Sequence, residues 1–165
     1  MPYYQGEPVT RGPVEICAPD VAGYLEARST ADVDLSEWYD RAGAEDNIIY
    51  FGVLVSETQL PIGEVLIHDI DRDAGTAHIH AHVFQAQRRL LGHGCDALKA
   101  VVEYAFKHEK LKGLTIVINE ENFPARRCYA KCGFQQLGRS EDDRSQLVMS
   151  LTRDEWRRMV DDGEW

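Results

Sequence analysis

Alternating apolar and imidazole side chains over Ala77-His78-Ile79-His80-Ala81-His82-Val83-Phe84, with Arg89-Leu90-Leu91-Gly92-His93-Gly94 five residues on, constrain this chain more than any other stretch. The period of two makes residues 76–84 a strand with His78, His80, His82 and Phe84 on one face. Leu98, Val101, Val102, Ala105 and Phe106 then recur at helical spacing while Lys99, Glu103 and Lys107 fall elsewhere, so the pattern predicts a helix over 92–108. A strand that turns through Gly-x-Gly into a helix presents the amides of a first helical turn, and the positive end of its dipole, to an anion. Glycine at 92 and 94 removes the Cβ atoms that would hold a phosphate off that backbone. Arg88 and Arg89 add fixed positive charge beside it. The segment lacks the third glycine of a dinucleotide fingerprint and the Gly-Lys-Ser/Thr of a P-loop, and alone it reads more readily as a tight turn.

A second segment, Asn122-Phe123-Pro124-Ala125-Arg126-Arg127-Cys128-Tyr129-Ala130-Lys131-Cys132-Gly133-Phe134, has the punctuation of a short helix. Asn122 suits an N-cap, Pro124 is tolerated in a first turn, and Gly133 suits the C′ position, which places the helix at 123–132. Further strands are expected at 48–55, 62–70, 114–119, 134–137 and 145–151, with helices at 21–28 and 35–42. The turn Asp71-Arg72-Asp73-Ala74-Gly75 joins two of the strands. Thr152-Arg153-Asp154-Glu155 has the form of a capping box, and Trp156, Met159 and Val160 then give an amphipathic tail helix at about 152–162. Its apolar face can pack on the domain or on a second subunit, which leaves a homodimer open. The elements form one domain spanning 1–165, of class α/β (α+β), with a mixed sheet flanked by helices.

Taken together the two segments resemble the GNAT superfamily of N-acetyltransferases. The Arg/Gln-x-x-Gly-x-Gly/Ala motif is matched at Arg89, Gly92 and Gly94. The Asn-x-x-Ala-x-x-x-Tyr-x-Lys-x-Gly-Phe motif is matched at Asn122, Ala125, Tyr129, Lys131, Gly133 and Phe134. The resemblance covers residues 48–151, and it implies a mostly antiparallel sheet and acetyl-CoA as co-substrate, with no metal. It also implies that Arg89, Leu90, Leu91, Gly92, His93, Gly94 and Cys95 cradle the coenzyme diphosphate. Val83 and Phe84 would hydrogen-bond the pantetheine arm, and Asn122 would join the cofactor site. Tyr129 stands at the family position for the acid that meets the departing thiolate. In one branch of the superfamily a His-x-His pair stands at the distance from the motif where His78 and His80 stand here, and it helps remove the proton from the amine; other branches carry a glutamate base at the position of His78. Two features depart from the pattern: His93 lies between the glycines, and Gln85-Ala86-Gln87 lacks the usual proline.

The chemistry requires such a base. A primary ammonium with pKa about 10.4 is free amine only to roughly one part in a few thousand at neutral pH, whereas an imidazole near 6.5 can accept its proton. A phenol near pKa 10 is a weaker acid than a thiol near 8.5, so Tyr129 would stabilise the sulfur mainly by hydrogen bonding. Its plain alternative is an aromatic packing sheet against helix. A zinc site on His78, His80 and His82 is disfavoured because ligands at i, i+2 and i+4 of one strand spread over too much length for a tetrahedral centre.

Charge is uneven. Residues 1–75 hold fifteen acidic side chains against four basic ones, so the net charge of −10 resides in the first half. That acidity favours a cationic acceptor, a small-molecule amine or a peptide amino terminus, and argues against nucleic acid; its plain alternative is solubility. No long apolar run or leader is evident, so no membrane partner and a cytoplasmic location are expected. Cys17, Cys95, Cys128 and Cys132 show no paired framework and are expected to be reduced, the last three as small buried apolar residues. A non-catalytic acyl-CoA-binding or regulatory module and a protein amino-terminal acetyltransferase are the rival readings.

Overall fold

The computed structural model describes residues 4, 6–18, 47–83 and 92–165. The expected helices at 21–28 and 35–42 lie outside these residues. Among the described residues eight strands, β1 (Val9–Arg11), β2 (Val14–Cys17), β3 (Ile49–Val55), β4 (Leu60–Asp71), β5 (Thr76–Val83), β6 (Gly113–Asn119), β7 (Gln135–Arg139) and β8 (Gln146–Thr152), form one sheet in the order β1-β2-β3-β4-β5-β6-β8-β7. Every neighbouring pair is antiparallel except β5 and β6. Among the described residues the helices are α1 (His93–Lys107), α2 (Phe123–Lys131) and α3 (Arg153–Asp161). The mixed, mostly antiparallel sheet expected from the sequence is therefore present.

The core follows from alternation. Leu114, Ile116 and Ile118 of β6 and Leu147, Met149 and Leu151 of β8 are buried, whereas Val117 and Asn119, on either side of Ile118, are exposed. β3, in the middle of the sheet, reads as a continuous apolar run and is buried on both faces, as are residues 62–67 of β4, the charged Glu64 among them. α1 turns Ala97, Leu98, Ala100, Val101, Val102, Ala105 and Phe106 inward, which contains the stripe expected for it. It shares one cluster with Val14, Ile16, Val65, Ile67, Ala77 and Ile79 of the sheet.

The tail helix packs on this same domain. Thr152 caps it with a complete capping box, Glu155 N donating to Thr152 Oγ1 at 3.2 Å and Thr152 N to Glu155 Oε2 at 2.9 Å. Trp156 is buried against Phe106 with ring centroids 5.4 Å apart, and Trp165 meets it edge-on at 6.2 Å. The hairpin of β1 and β2 was not expected from the sequence: its strands have three and four residues, too few for a period to declare itself.

β4 carries a bulge. Asp71 pairs Thr76, but beyond the turn His68 pairs His78, one residue out of that register, and Asp69 between them has φ of 48°. A one-residue shift exchanges the faces of a strand, so the bulge decides which β4 side chain stands beside His78.

Candidate active site

The parallel pairing of β5 and β6 is short. It runs through Thr76/Gly113, Ala77/Leu114 and His78/Thr115 and stops, while β5 continues to Val83 beside β4 and β6 continues to Asn119 beside β8. The sheet is thus split from His78 onward by a wedge about 13 Å long, four residues of β6 at about 3.3 Å each. The carboxyl ends of two parallel strands are where an open sheet offers a crevice. Both strands lead from that end into helix starts, α1 at Gly92 and α2 at Asn122.

At the start of α1, Gly92 adopts φ 77° and ψ 11°, a left-handed conformation that glycine takes without penalty, and no side chain caps the helix. A left-handed residue followed by helical ones turns successive amides toward one point, a nest for an anion. A Cβ placed on Gly92 would meet nothing within 4 Å among the described residues. Asp96, the acidic residue of this first turn, reaches the β1–β2 turn, its carboxylate lying 3.4 Å from where a Cβ on Gly12 would stand. His93, between the two glycines, is buried, as an aliphatic residue there would be. These features fit a coenzyme diphosphate.

α2 is set at both ends as its sequence implies. Asn122 Oδ1 accepts from Ala125 N at 3.4 Å. At the other end Gly133 (φ 94°) closes a Schellman motif, Phe134 N donating to Tyr129 O and Gly133 N to Ala130 O, each at 3.0 Å. A Cβ on Gly133 would lie 2.4 Å from Met159 Sδ, so α3 is also seated over this glycine. Arg126 donates to Glu120 O at 2.9 Å and lies over the Phe123 ring, while Arg127 is exposed. Tyr129 is half-buried against the core on the α1 side, its ring 6.3 Å from that of Phe134. Burial above all, and then the neighbouring Cys132, push its phenol up to about 12. It therefore stays protonated at neutral pH and can donate a hydrogen bond.

The cysteines depart from expectation. Cys95, in the first turn of α1, and Cys128, in α2, are joined in a disulfide with Cα atoms 5.5 Å apart, and both are half-buried. Only Cys132 is fully buried. The pairing spans 33 residues and arises because the two helices pack side by side, which spacing along the chain does not disclose.

His78 and His80 are half-buried on the face of β5 opposite Ala77 and Ile79, hence opposite α1 and Tyr129. By that alternation the two histidines and Tyr129 stand on opposite faces of the sheet. His78 lies beside His68, ring centroids 5.5 Å apart, and His68 Nδ1 is 2.6 Å from Asp69 Oδ2. Burial first, and then His68, lower the pKa of His78 below 6.5, with Asp69 opposing. His68 and Asp69 were missed in the sequence, because an unbulged hairpin counted back from the Asp71–Gly75 turn would place Asp69, not His68, across from His78. An open depression of about 610 Å³, lined by Asn47, Asp69, Ile70, Asp71, Arg72 and Asp73, adjoins this cluster through Asp69. It lies at the turn end of β5, away from the mouth of the wedge. Val83 ends β5, paired with Gly63; Phe84, Arg89, Leu90 and Leu91 lie outside the described residues.

The model of the acetyltransferase (GNAT) domain family matches residues 12–135. Among solved structures, a Vibrio cholerae protein assigned as a ribosomal-protein-serine acetyltransferase superposes with a TM-score of 0.72 at 17% identity, covering 88% of this chain and 97% of its own. The spermidine N-acetyltransferase from Vibrio cholerae, in complex with CoA and spermine, does so with a TM-score of 0.72 at 16% identity, over 88% and 98% of the two chains. At such identities the likeness is one of fold. No curated protein matches the sequence.

Proposed function

The chain belongs to the GNAT family of acetyltransferases, enzymes that use acetyl-CoA, and from that premise we propose that it acetylates a primary amine of a cationic acceptor by direct transfer in a ternary complex. The observation that carries this reading is the wedge between β5 and β6, with a nest-forming helix start at one side of its mouth and Tyr129 on the helix at the other. Acetyl-CoA supplies an acyl group activated as a thioester. Backbone amides of Gly92, His93, Gly94 and Cys95 would hold its diphosphate, with Arg89, Leu90 and Leu91 completing the loop and Asn122 standing at the neighbouring helix start. The Val83 end of β5, with Phe84, would meet the pantetheine arm, because β5 there runs beyond its pairing with β6.

On the opposite face His78 is held mostly as neutral imidazole at pH 7, so it can take the proton of the arriving ammonium, directly or through water, with His80 two residues on. Such a base contributes typically about 10²–10⁴-fold. Tyr129, protonated and partly shielded from water, would donate a hydrogen bond to the sulfur as it acquires charge. The acidic rim at Asp69, Asp71 and Asp73 beside His68 supports a cationic acceptor. So does the spermine-bound neighbour. The ribosomal-protein neighbour supports a peptide amino terminus as the second reading. A single domain over 1–165 and a cytoplasmic location belong to the same proposal.

Thiol release from acetyl-CoA across polyamine, arylalkylamine, aminoglycoside and peptide acceptors tests it. Turnover with a polyamine or arylalkylamine is expected; turnover with peptides alone selects the second reading, and none with any acceptor refutes catalysis on amines. Tyr129→Phe and His78→Ala should each slow turnover at least tenfold with acetyl-CoA affinity within about twofold of the parent. Unchanged turnover in both would remove the assigned roles.

A further inference from the structure

Three sulfurs meet where the two helices of the wedge touch. Cys95 stands one residue past Gly94, in the first turn of α1, and Cys128 on α2 stands one turn before Cys132, the C-cap residue of that helix, with Tyr129 next to Cys128. Their sulfur atoms all lie within 4.8 Å of one another. Cys95 and Cys128 are bonded, and the Cys132 sulfur lies 4.0 Å from that of Cys95. Cys95 is thus the shared member, with two partners in reach.

We propose that Cys95, Cys128 and Cys132 form a thiol–disulfide switch that takes low-molecular-weight disulfides as oxidant, and whose oxidised form clamps the first turn of α1 to α2 and so strengthens coenzyme binding. The functional half rests on the placement of the coenzyme argued above; the thiol chemistry does not.

The step balances with glutathione disulfide as oxidant. The Cys95 thiolate attacks one glutathione sulfur, forming a mixed disulfide and expelling one glutathione thiolate. The Cys128 thiolate then attacks the Cys95 sulfur and expels the second. One protein S–S bond forms and two S–H bonds are lost, while the two electrons and two protons end on two molecules of glutathione. Cys95 is suited to attack first, since it stands in the first turn of α1 and is half-buried rather than sealed. Cys132 is fully buried, and that burial pushes its thiol up to about 11, so it remains protonated as a reserve partner. A cross-link in a reducing compartment is expected to be transient and redox-sensing, the behaviour a switch needs. Clamping two cofactor-side turns before the coenzyme arrives lowers the ordering cost of binding.

The test uses the whole chain equilibrated in glutathione buffers of varied ratio, trapped with iodoacetamide under denaturing conditions, and counted by mass spectrometry. The oxidised protein should show two alkylated thiols, Cys17 and Cys132, and the reduced protein all four. Cys128→Ser should still lose two thiols on oxidation, through Cys95 and Cys132, whereas Cys95→Ser should lose none. Calorimetric titration should give acetyl-CoA a dissociation constant roughly fivefold or more lower for the oxidised form, and that difference should vanish in Cys95→Ser. Four thiols at every glutathione ratio would overturn the switch, as would one equivalent of zinc retained by the reduced protein with its three cysteines protected. Equal affinity in both forms would overturn its control of binding. No acetyl-CoA binding in either form would overturn the coenzyme placement and the functional half together, while leaving the thiol count to stand or fall separately.

Discussion

Gly133→Ala is the perturbation whose cost can be worked most directly from the structure. Two terms contribute. The backbone there has φ of 94°, and a residue with a Cβ in left-handed space costs about 1–2 kcal/mol. The new Cβ would also stand 2.4 Å from Met159 Sδ, 3.2 Å from Met159 Cε and 3.3 Å from Leu151 Cδ1. Met159 can move, being unbranched, but only by disturbing the seat of α3, at about 1–2 kcal/mol for a mild overpacking. The sum is about 2–4 kcal/mol, which for a chain of this size lowers the melting temperature by about 5–15 °C. Gly163→Ala separates the terms, because Gly163 has φ of 73° with nothing within 4 Å of its added Cβ among the described residues. It should cost about 1–2 kcal/mol. Adding Met159→Ala to the Gly133 variant should recover part of the steric term, read as a coupling in a double-mutant cycle by urea unfolding. Equal costs at the two glycines, or no coupling with Met159, would refute the assignment of close helix approach at Gly133.

The pH dependence of kcat/KM should carry an acid limb with its midpoint below 6.5, since burial depresses the pKa of His78; activity falls as pH drops through that value and the imidazole becomes charged. His78→Ala should abolish the limb. Asp69→Asn, by removing a charge that raises the pKa of His78, should move the limb to lower pH, and a shift upward would contradict this electrostatic arrangement. With the Tyr129 phenol near 12, no decline from its ionisation is expected up to about pH 10. Trp156→Ala, which empties a buried site against Phe106 and Trp165, should cost about 3–5 kcal/mol in urea unfolding, and a loss under 1 kcal/mol would mean that α3 does not share the core.

Much of the fold was legible because its signals are local. Alternation places β5, β6 and β8, the stripe from Leu98 to Phe106 places α1, and the caps at Asn122, Gly133 and Thr152 set the ends of α2 and the start of α3. Each depends on residues within one or two turns of one another, so the chain states them without knowing its neighbours. β4 runs from Leu60 to Asp71, longer than its apolar pattern implied, because a paired neighbour extends a strand past the point where its own alternation fails.

The site is split along the same line. The amino-acid order by itself determined that a glycine turn opens a helix after a histidine-bearing strand and that Tyr129 rides a short capped helix, since these follow from propensity, period and capping. Only the tertiary structure decided that β5 and β6 part after His78, that a bulge at Asp69 turns His68 toward His78, and that Cys95 meets Cys128 across 33 residues. Those three facts depend on register and on which helix lies beside which. They are set by the packing of the whole core, a quantity that no window of sequence contains.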